Sequence, residues 1–364
     1  MKIAFDGKRF FNNSSGLGNY SRDLVRILAT YFPENQYVLF NESPSEKGKD
    51  ILSLSNVSFV ETSKGTMSRQ LKMGKDAQKI DADIFHGLSG ELPLKWAGKS
   101  IKKVVTIHDL IFMRFPQYYS FFDRIIHFWK FKKAAVHADV IIAISEQTKR
   151  DIIKLLKVPE EKIRVIYQGC HCAFKENQSE DFLTSVKGKY HLPQRFILNV
   201  GTIEERKNLL NIVRGINGTE IPLVVIGKKT KYFNKVQKYL KKNKLENQVQ
   251  FLESVSMEEL AAIYKLADIF VYPSFFEGFG IPIIEALYSQ TPVIASNTSS
   301  LPEAGGEYSL YIDPLNSNDL KSKILFLWNN EADRKRRSDK GLQFVQKFND
   351  EKIAENLMMV YKKL

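Results

Sequence analysis

Two glutamates stand eight residues apart in the run Pro273-Ser274-Phe275-Phe276-Glu277-Gly278-Phe279-Gly280-Ile281-Pro282-Ile283-Ile284-Glu285. A strand-like stretch, Ile269–Tyr272, precedes the run, and Pro282 suits the first turn of a helix. Glu285 then falls among Ile283, Ile284, Ala286 and Leu287, where a carboxylate needs partners or a ligand. Eight helical residues span about 12 Å. That is too far for the ~5 Å carboxylate pair of a retaining glycosidase. The spacing suits two separate hydroxyl clamps better than an acid and a nucleophile.

Gly201-Thr202-Ile203-Glu204-Glu205-Arg206-Lys207-Asn208 follows the apolar run Phe196–Val200 and opens the next helix. Adjacent cations at a strand-to-helix turn lie where an anion should sit. Arg206 can grip two oxygens at once, while Lys207 acts as a point charge. Gly16-Leu17-Gly18 precedes another helical stretch, Leu17–Tyr31. Glycines there let backbone amides approach a phosphate, although Ser21 replaces the third glycine of a dinucleotide fingerprint. The segment reads either as a plain helix entry or as a phosphate or acceptor loop. His108, in Thr106-Ile107-His108-Asp109-Leu110, ends a strand-like run and is a candidate catalytic group or a structural histidine.

Other chemistry-bearing clusters have simpler readings. Asp81-Ala82-Asp83 imitates a divalent-metal pattern but sits where a helix should end, and Cys170-His171-Cys172 lacks the second cluster that a tetrahedral site needs. No metal or cofactor is expected; fixed cations take the ion's place. With cysteines only at 170 and 172, a disulfide framework is excluded. Lys228–Lys244 reads as a solvated lysine-rich helix face. Gln117–Lys133 carries Tyr118, Tyr119, Phe121, Phe122, Phe128, Trp129 and Phe131 beside Arg124, Lys130, Lys132 and Lys133. It suits a membrane interface and a core helix equally.

The elements that must position these residues alternate along the chain. Apolar, β-branched runs recur at Ile3–Phe5, Tyr37–Phe40, Val57–Val60, Ile84–His86, Lys103–Ile107, Val140–Ile144 and Ile163–Tyr167. A second series begins at Phe196–Val200 and continues through Leu223–Gly227, Val249–Phe251, Ile269–Tyr272, Val293–Ala295 and Leu310–Ile312. Helical stretches separate most of them, as parallel sheets covered on both faces require. At 364 residues the length allows roughly two domains of about 150. The expected division is 1–180, 181–349 and a terminal helix 350–364 striped by Ile353, Leu357, Val360 and Tyr361.

Charged residues make up 26% of the chain and hydrophobic ones 43%, which excludes a disordered or fibrous protein. The net charge of +13 is shared between the halves and favours anionic partners without a nucleic-acid motif. No signal-like or membrane-spanning run is evident, so a cytoplasmic protein is expected, with contact at the inner membrane face as a further expectation.

Together, Gly16-Leu17-Gly18, Thr106-Ile107-His108-Asp109-Leu110, Ala143-Ile144-Ser145-Glu146, the Arg206-Lys207 turn, Glu277 to Glu285 and Ser300-Leu301-Pro302-Glu303 resemble glycosyltransferase family 4, and in particular its bacterial surface-polysaccharide mannosyltransferases. The resemblance implies a GT-B fold, in which two Rossmann-like doubly wound domains face a central cleft and the C-terminal helix crosses back to the first. It implies a retaining, metal-independent hexose transfer from a nucleoside diphosphate sugar (GDP- or UDP-linked, with GDP-mannose favoured) to a glycan or lipid-linked acceptor. By the same resemblance Glu277 would hold donor-sugar hydroxyls, and Gly278, Phe279, Gly280 and Ile281 would approach sugar and diphosphate. Glu285 would hold the ribose, and Arg206 and Lys207, beside Gly201, would neutralise the diphosphate. His108 would touch the sugar near its reacting carbon, and Gly16 and Gly18 would line the cleft. Tyr167-Gln168-Gly169-Cys170-His171 departs from the family's Asn-Gly pattern. A nucleotide-sugar epimerase of the same fold and a polyanion-binding protein are the alternatives.

Overall fold

The structure is a computed structural model describing all residues except 14, 15 and 97–100, with the side chains of 66–68 also left aside. Ser14 and Ser15, which precede Gly16-Leu17-Gly18, therefore lie outside the described residues. Two units are present: residues Met1–Gly169 with Phe348–Leu364, and Cys170–Lys347.

The first unit is built on strands β1 (Lys2–Asp6), β2 (Gln36–Asn41), β3 (Val57–Glu61), β4 (Ile84–Gly87), β5 (Lys102–Ile107), β6 (Val140–Ala143) and β7 (Ile163–Val165). All pair in parallel, in the order β3-β2-β1-β4-β5-β6-β7. Their side chains feed two buried cores, one on each face of the sheet. Ile3, Phe5, Leu39 and Ile84 pack to one side; Ala4, Val38, Phe85, Val105 and Ile141 pack to the other. Both faces are covered, which explains the uninterrupted apolar runs.

The helix Gly16–Tyr31 lies on one face and is joined there by the terminal helix Asp350–Lys362. The terminal helix buries Ile353, Ala354, Leu357, Met358 and Tyr361 in that core, while Val360 stays half-buried. Its N-terminal end is fixed by charge: Arg26 reaches Asp350 at 2.8 Å while also pairing with Asp23. Deeper in, His86 links it to the sheet, with Nδ1 2.6 Å from the Tyr361 hydroxyl and Nε2 2.8 Å from the Thr106 hydroxyl.

The second unit repeats the plan with β8 (Ile197–Val200), β9 (Leu223–Ile226), β10 (Val249–Leu252), β11 (Ile269–Tyr272), β12 (Val293–Ser296) and β13 (Leu310–Ile312). Their order, β10-β9-β8-β11-β12-β13, is again all parallel. The strand order reverses beside β8 and β11, which leaves a crevice past their carboxyl ends, the place where open α/β sheets bind ligands. The glycines at that edge are forced. Gly227 has φ +156°, and a Cβ there would lie 2.0 Å from the Gly201 carbonyl oxygen.

Candidate active site

The second unit's reversal point gathers the cations and the first glutamate. Arg206 and Lys207 lie in the turn after β8, and Glu277 lies in the loop after β11. Adjacent strands therefore bring together residues seventy positions apart. Glu277 takes both cations at once: Oε2 is 2.8 Å from Arg206 Nη1 and Oε1 is 2.6 Å from Lys207 Nζ. The Tyr272 hydroxyl, at the end of β11, donates to Oε1 over 3.0 Å. Lys207 also hydrogen-bonds that hydroxyl and lies 4.8 Å from the tyrosine ring centre.

The turn itself is held by its neighbours. Arg206 Nη1 donates to the Phe276 carbonyl over 2.6 Å, and Nη2 reaches Glu204 at 2.6 Å. Phe275 N–H donates to the Arg206 carbonyl over 2.9 Å. Asn208 stands in the left-handed region at φ 57° immediately before the helix Leu209–Ile216, with no side-chain cap on that helix. Its side-chain amide donates to the carbonyls of Pro273 (3.1 Å) and Pro314 (2.8 Å). From the other side, Ser300 Oγ donates to the carbonyls of Glu277 (3.0 Å) and Phe279 (2.7 Å), while Glu277 N–H donates to Ser299 Oγ. Gly280 turns the chain into the helix Ile281–Tyr288 at φ +123°, packed where a Cβ would lie 3.2 Å from Leu301.

Burial sets the electrostatics. Removal from water would raise the Glu277 pKa, but Lys207 and Arg206 outweigh it and hold the carboxylate down at about 2. Burial also lowers the Lys207 pKa, and Glu277 opposes that shift. Glu285 is different. It is equally buried, but its hydrogen-bond partner is neutral, the Tyr264 hydroxyl at 3.0 Å, and Lys207 acts on it only at longer range. Burial pushes its pKa up to about 7, against the smaller opposing effect of that hydrogen bond. The two glutamates are thus a fixed anion and a titrating carboxyl.

In the first unit, His108 follows β5 and is held at both nitrogens. Nε2 donates to the Leu88 carbonyl over 2.9 Å, which leaves Nδ1 to accept from the Gln168 amide over 2.9 Å. The Tyr20 ring meets its edge at 4.6 Å and 90°. The residue is half-buried, and its packed surroundings lower the imidazole pKa to about 4, so it is neutral near pH 7. Gly16 begins the helix carrying Tyr20, with no described residue within 4 Å of where its Cβ would be, whereas a Cβ on Gly18 would lie 2.0 Å from the Asn13 carbonyl oxygen.

Arg206, Lys207, Gly201 and Glu277 converge in the second unit, with Gly278, Phe279, Gly280, Ile281 and Glu285 continuing along one loop and helix. His108, Gly16 and Gly18 belong to the first unit. The sequence patterns did not single out Tyr264, Tyr272 or Asn208. Asp83, read above as a helix-end residue, accepts the Lys2 N–H over 2.8 Å, and His171 Nδ1 accepts the Ala173 N–H.

Comparison with known proteins agrees across both units. Residues 16–174 match the model of Glycosyltransferase Family 4, and residues 185–344 match that of Glycosyl transferases group 1. The chain is 27% identical to O-antigen chain mannosyltransferase B of Escherichia coli over the full length of both. It is 29% identical to O-antigen chain mannosyltransferase RfbU of Salmonella typhimurium over 61% of this chain and 60% of that one. Among solved structures, a glycosyltransferase from Rickettsia africae superposes with a TM-score of 0.78 at 18% identity, covering 100% of this chain and 98% of that one. Anabaena Alr3699/HepE in complex with UDP and glucose superposes at 0.77 and 17%, covering all of both chains. The chain is therefore a glycosyltransferase of the GT-B fold, belonging to family 4 over residues 16–174 and to the group 1 glycosyl transferases over residues 185–344.

Proposed function

We propose that this glycosyltransferase moves mannose, with retention of configuration, from GDP-mannose to a glycan or lipid-linked glycan acceptor of a bacterial surface polysaccharide. The observation that carries the reading is the meeting of Arg206, Lys207 and Glu277 at the reversal point of the second sheet. The similarity to O-antigen mannosyltransferases supports the sugar and acceptor class. HepE in complex with UDP-glucose makes a UDP-sugar the competing donor.

The chemistry follows from charge. Breaking the bond between the sugar's anomeric carbon and the diphosphate leaves negative charge on the nucleoside diphosphate. Arg206 and Lys207 would stabilise that charge, in the place a divalent cation could otherwise take. Backbone groups from Gly278 to Ile281, with Gly201 opposite, would approach the diphosphate and sugar. Glu277 would accept sugar hydroxyls and Glu285 the ribose hydroxyls. Neither glutamate has the character of a nucleophile: the first is a counter-ion and the second is capped by Tyr264. The acceptor oxygen would therefore attack on the face the diphosphate leaves, its proton passing to a phosphate oxygen as the new glycosidic bond forms. His108, neutral, would contact the transferred sugar near its reacting carbon. The work would be cytoplasmic, at the inner face of the membrane, with no nucleic acid involved.

Release of nucleoside diphosphate from a panel of GDP- and UDP-sugars, with and without EDTA, tests this. EDTA-resistant turnover of GDP-mannose that collapses in Glu277→Ala is the expected result. Turnover of a UDP-sugar alone overturns the donor, and failure of every nucleotide sugar to react or to raise the unfolding temperature overturns the assignment.

A further inference from the structure

The helix Phe121–His137 is built inside out. Ser120 caps it, accepting the Asp123 N–H over 3.1 Å. The side toward the sheet is satisfied: Phe131 and His127 pack against the Phe112 ring at 5.4 and 5.7 Å, and Ala134 and Ala135 are buried. Steps of 100° per residue place Phe121, Phe122, Ile125, Ile126, Trp129 and Val136 together on the other side. All six are exposed, Phe122 by 75%, Phe121 by 64% and Trp129 by 52%. Tyr118 and Tyr119 extend the apolar surface past the N-terminal end. A surface helix ordinarily turns charge outward, and a continuous apolar face of this kind marks an interaction site.

We propose that this face docks on an anionic lipid surface. The residue chemistry chooses lipid over protein. Lys133 shares the face, its ammonium 4.6 Å from the Trp129 ring centre, whereas the Lys132 ammonium turns inward to the Leu156 carbonyl. The face holds no carboxylate, since Asp123 falls on the far side at the cap. Trp and Tyr carry an apolar body with a polar edge, suited to the depth of lipid headgroups, and lysine stems let ammonium groups reach phosphates. The net charge of +13 draws the whole chain toward a negative surface. Among the described residues no helix is long and apolar enough to cross a membrane. The helix would therefore lie in the interface plane, not across it. The docking surface adds a partner to the function proposed above, but its test reads binding alone, so either can fail without the other.

The test is co-sedimentation of the full chain with vesicles of phosphatidylcholine, alone or mixed with phosphatidylglycerol. Wild type should partition at least about tenfold more onto the mixed vesicles. Phe122→Ser with Trp129→Ser should lower that partition by about tenfold or more, since two large apolar side chains leave the contact. Lys133→Glu should weaken binding to mixed vesicles and leave binding to neutral ones unchanged. The unfolding temperature and nucleotide-sugar hydrolysis of the exposed double variant should match wild type. Three results overturn the proposal: folded wild type failing to sediment with mixed vesicles, the double variant binding as well as wild type, or sedimentation velocity showing a wild-type dimer that the double variant converts to monomer. The last would assign the face to a second copy of the chain.

Discussion

The Gln168 side-chain amide lies 2.9 Å from His108 Nδ1 and holds the nitrogen that the imidazole leaves unprotonated. With Leu88 O accepting from Nε2, the ring is a neutral Nε2–H tautomer, presented edge-on to Tyr20. The residue that departs from the family's Asn-Gly pattern is thus the one that orients the candidate catalytic histidine.

Gln168→Glu tests this relationship. A carboxylate beside Nδ1 favours the imidazolium and should lift the His108 pKa from about 4 toward or beyond its ordinary value of about 6.5. The wild-type kcat profile should show no histidine ionisation between pH 5 and 8, and the variant should gain an acid limb inside that window. A purely structural Gln168 would change the unfolding temperature and leave the profile's shape alone.

Glu277 separates binding from turnover. It is the counter-ion of Arg206 and Lys207, and a diphosphate would compete with it for the same cations. Glu277→Gln should cut turnover by about 10²–10³ while nucleoside diphosphate binds at least as tightly, measured by calorimetry. Its folded pKa of about 2 lies below the unfolded value. Its stabilisation is therefore complete above about pH 4.5 and is lost as pH falls toward 2, so the comparison belongs at pH 7. There the variant should unfold at lower temperature, by about 3–5 kcal/mol for a broken buried pair. Added diphosphate should restore more stability to the variant than to wild type. Weaker diphosphate binding in the variant would refute the competition.

What could be read from the sequence follows the physics of each feature. The strands were legible because parallel strands buried on both sides leave continuous β-branched runs. The Arg206-Lys207 turn and the glutamates were legible because charges at strand ends and inside an apolar helix need an explanation. Tyr272 and Tyr264 were not, because a tyrosine in a strand or a packed helix looks the same whether or not its hydroxyl serves a carboxylate. Asn208 was not, because a left-handed backbone leaves no mark in the sequence. The segment from Gln117 to Lys133 shows its aromatic content in one dimension, but which side faces the sheet is decided by Phe112, far from its own periodicity.

The glycine turn of the first unit yields a paired prediction. Gly18→Ala would drive a Cβ into the Asn13 carbonyl at 2.0 Å, while Gly16→Ala meets none of the described residues. That carbonyl cannot move freely, since Arg22 Nη1 donates to it over 3.0 Å and to Phe10 O over 2.8 Å. Gly18→Ala should cost about 1–3 kcal/mol of stability and Gly16→Ala less than about 0.5. Equal melting curves for the two variants would mean the turn yields more readily than its hydrogen bonds imply.

Glu285 should make donor affinity depend on pH near neutrality. Its folded pKa of about 7 lies above the ordinary carboxylate value of about 4.3. The folded chain therefore holds a proton that the unfolded chain has released, and stability declines as pH rises from about 4.5 through 7. Glu285→Gln keeps an acceptor for the Tyr264 hydroxyl and removes the buried charge. The variant should match wild type near pH 4.5 and exceed it well above pH 7 by about 3–4 kcal/mol in thermal or denaturant unfolding. Function should move the other way. Only the ionised carboxylate can accept from both ribose hydroxyls, so the wild-type KM for the donor should fall as pH rises through 7, with kcat little changed. The glutamine variant should show a flat, raised KM across the same range. A wild-type KM independent of pH would remove Glu285 from the ribose and leave it a partner of Tyr264 alone.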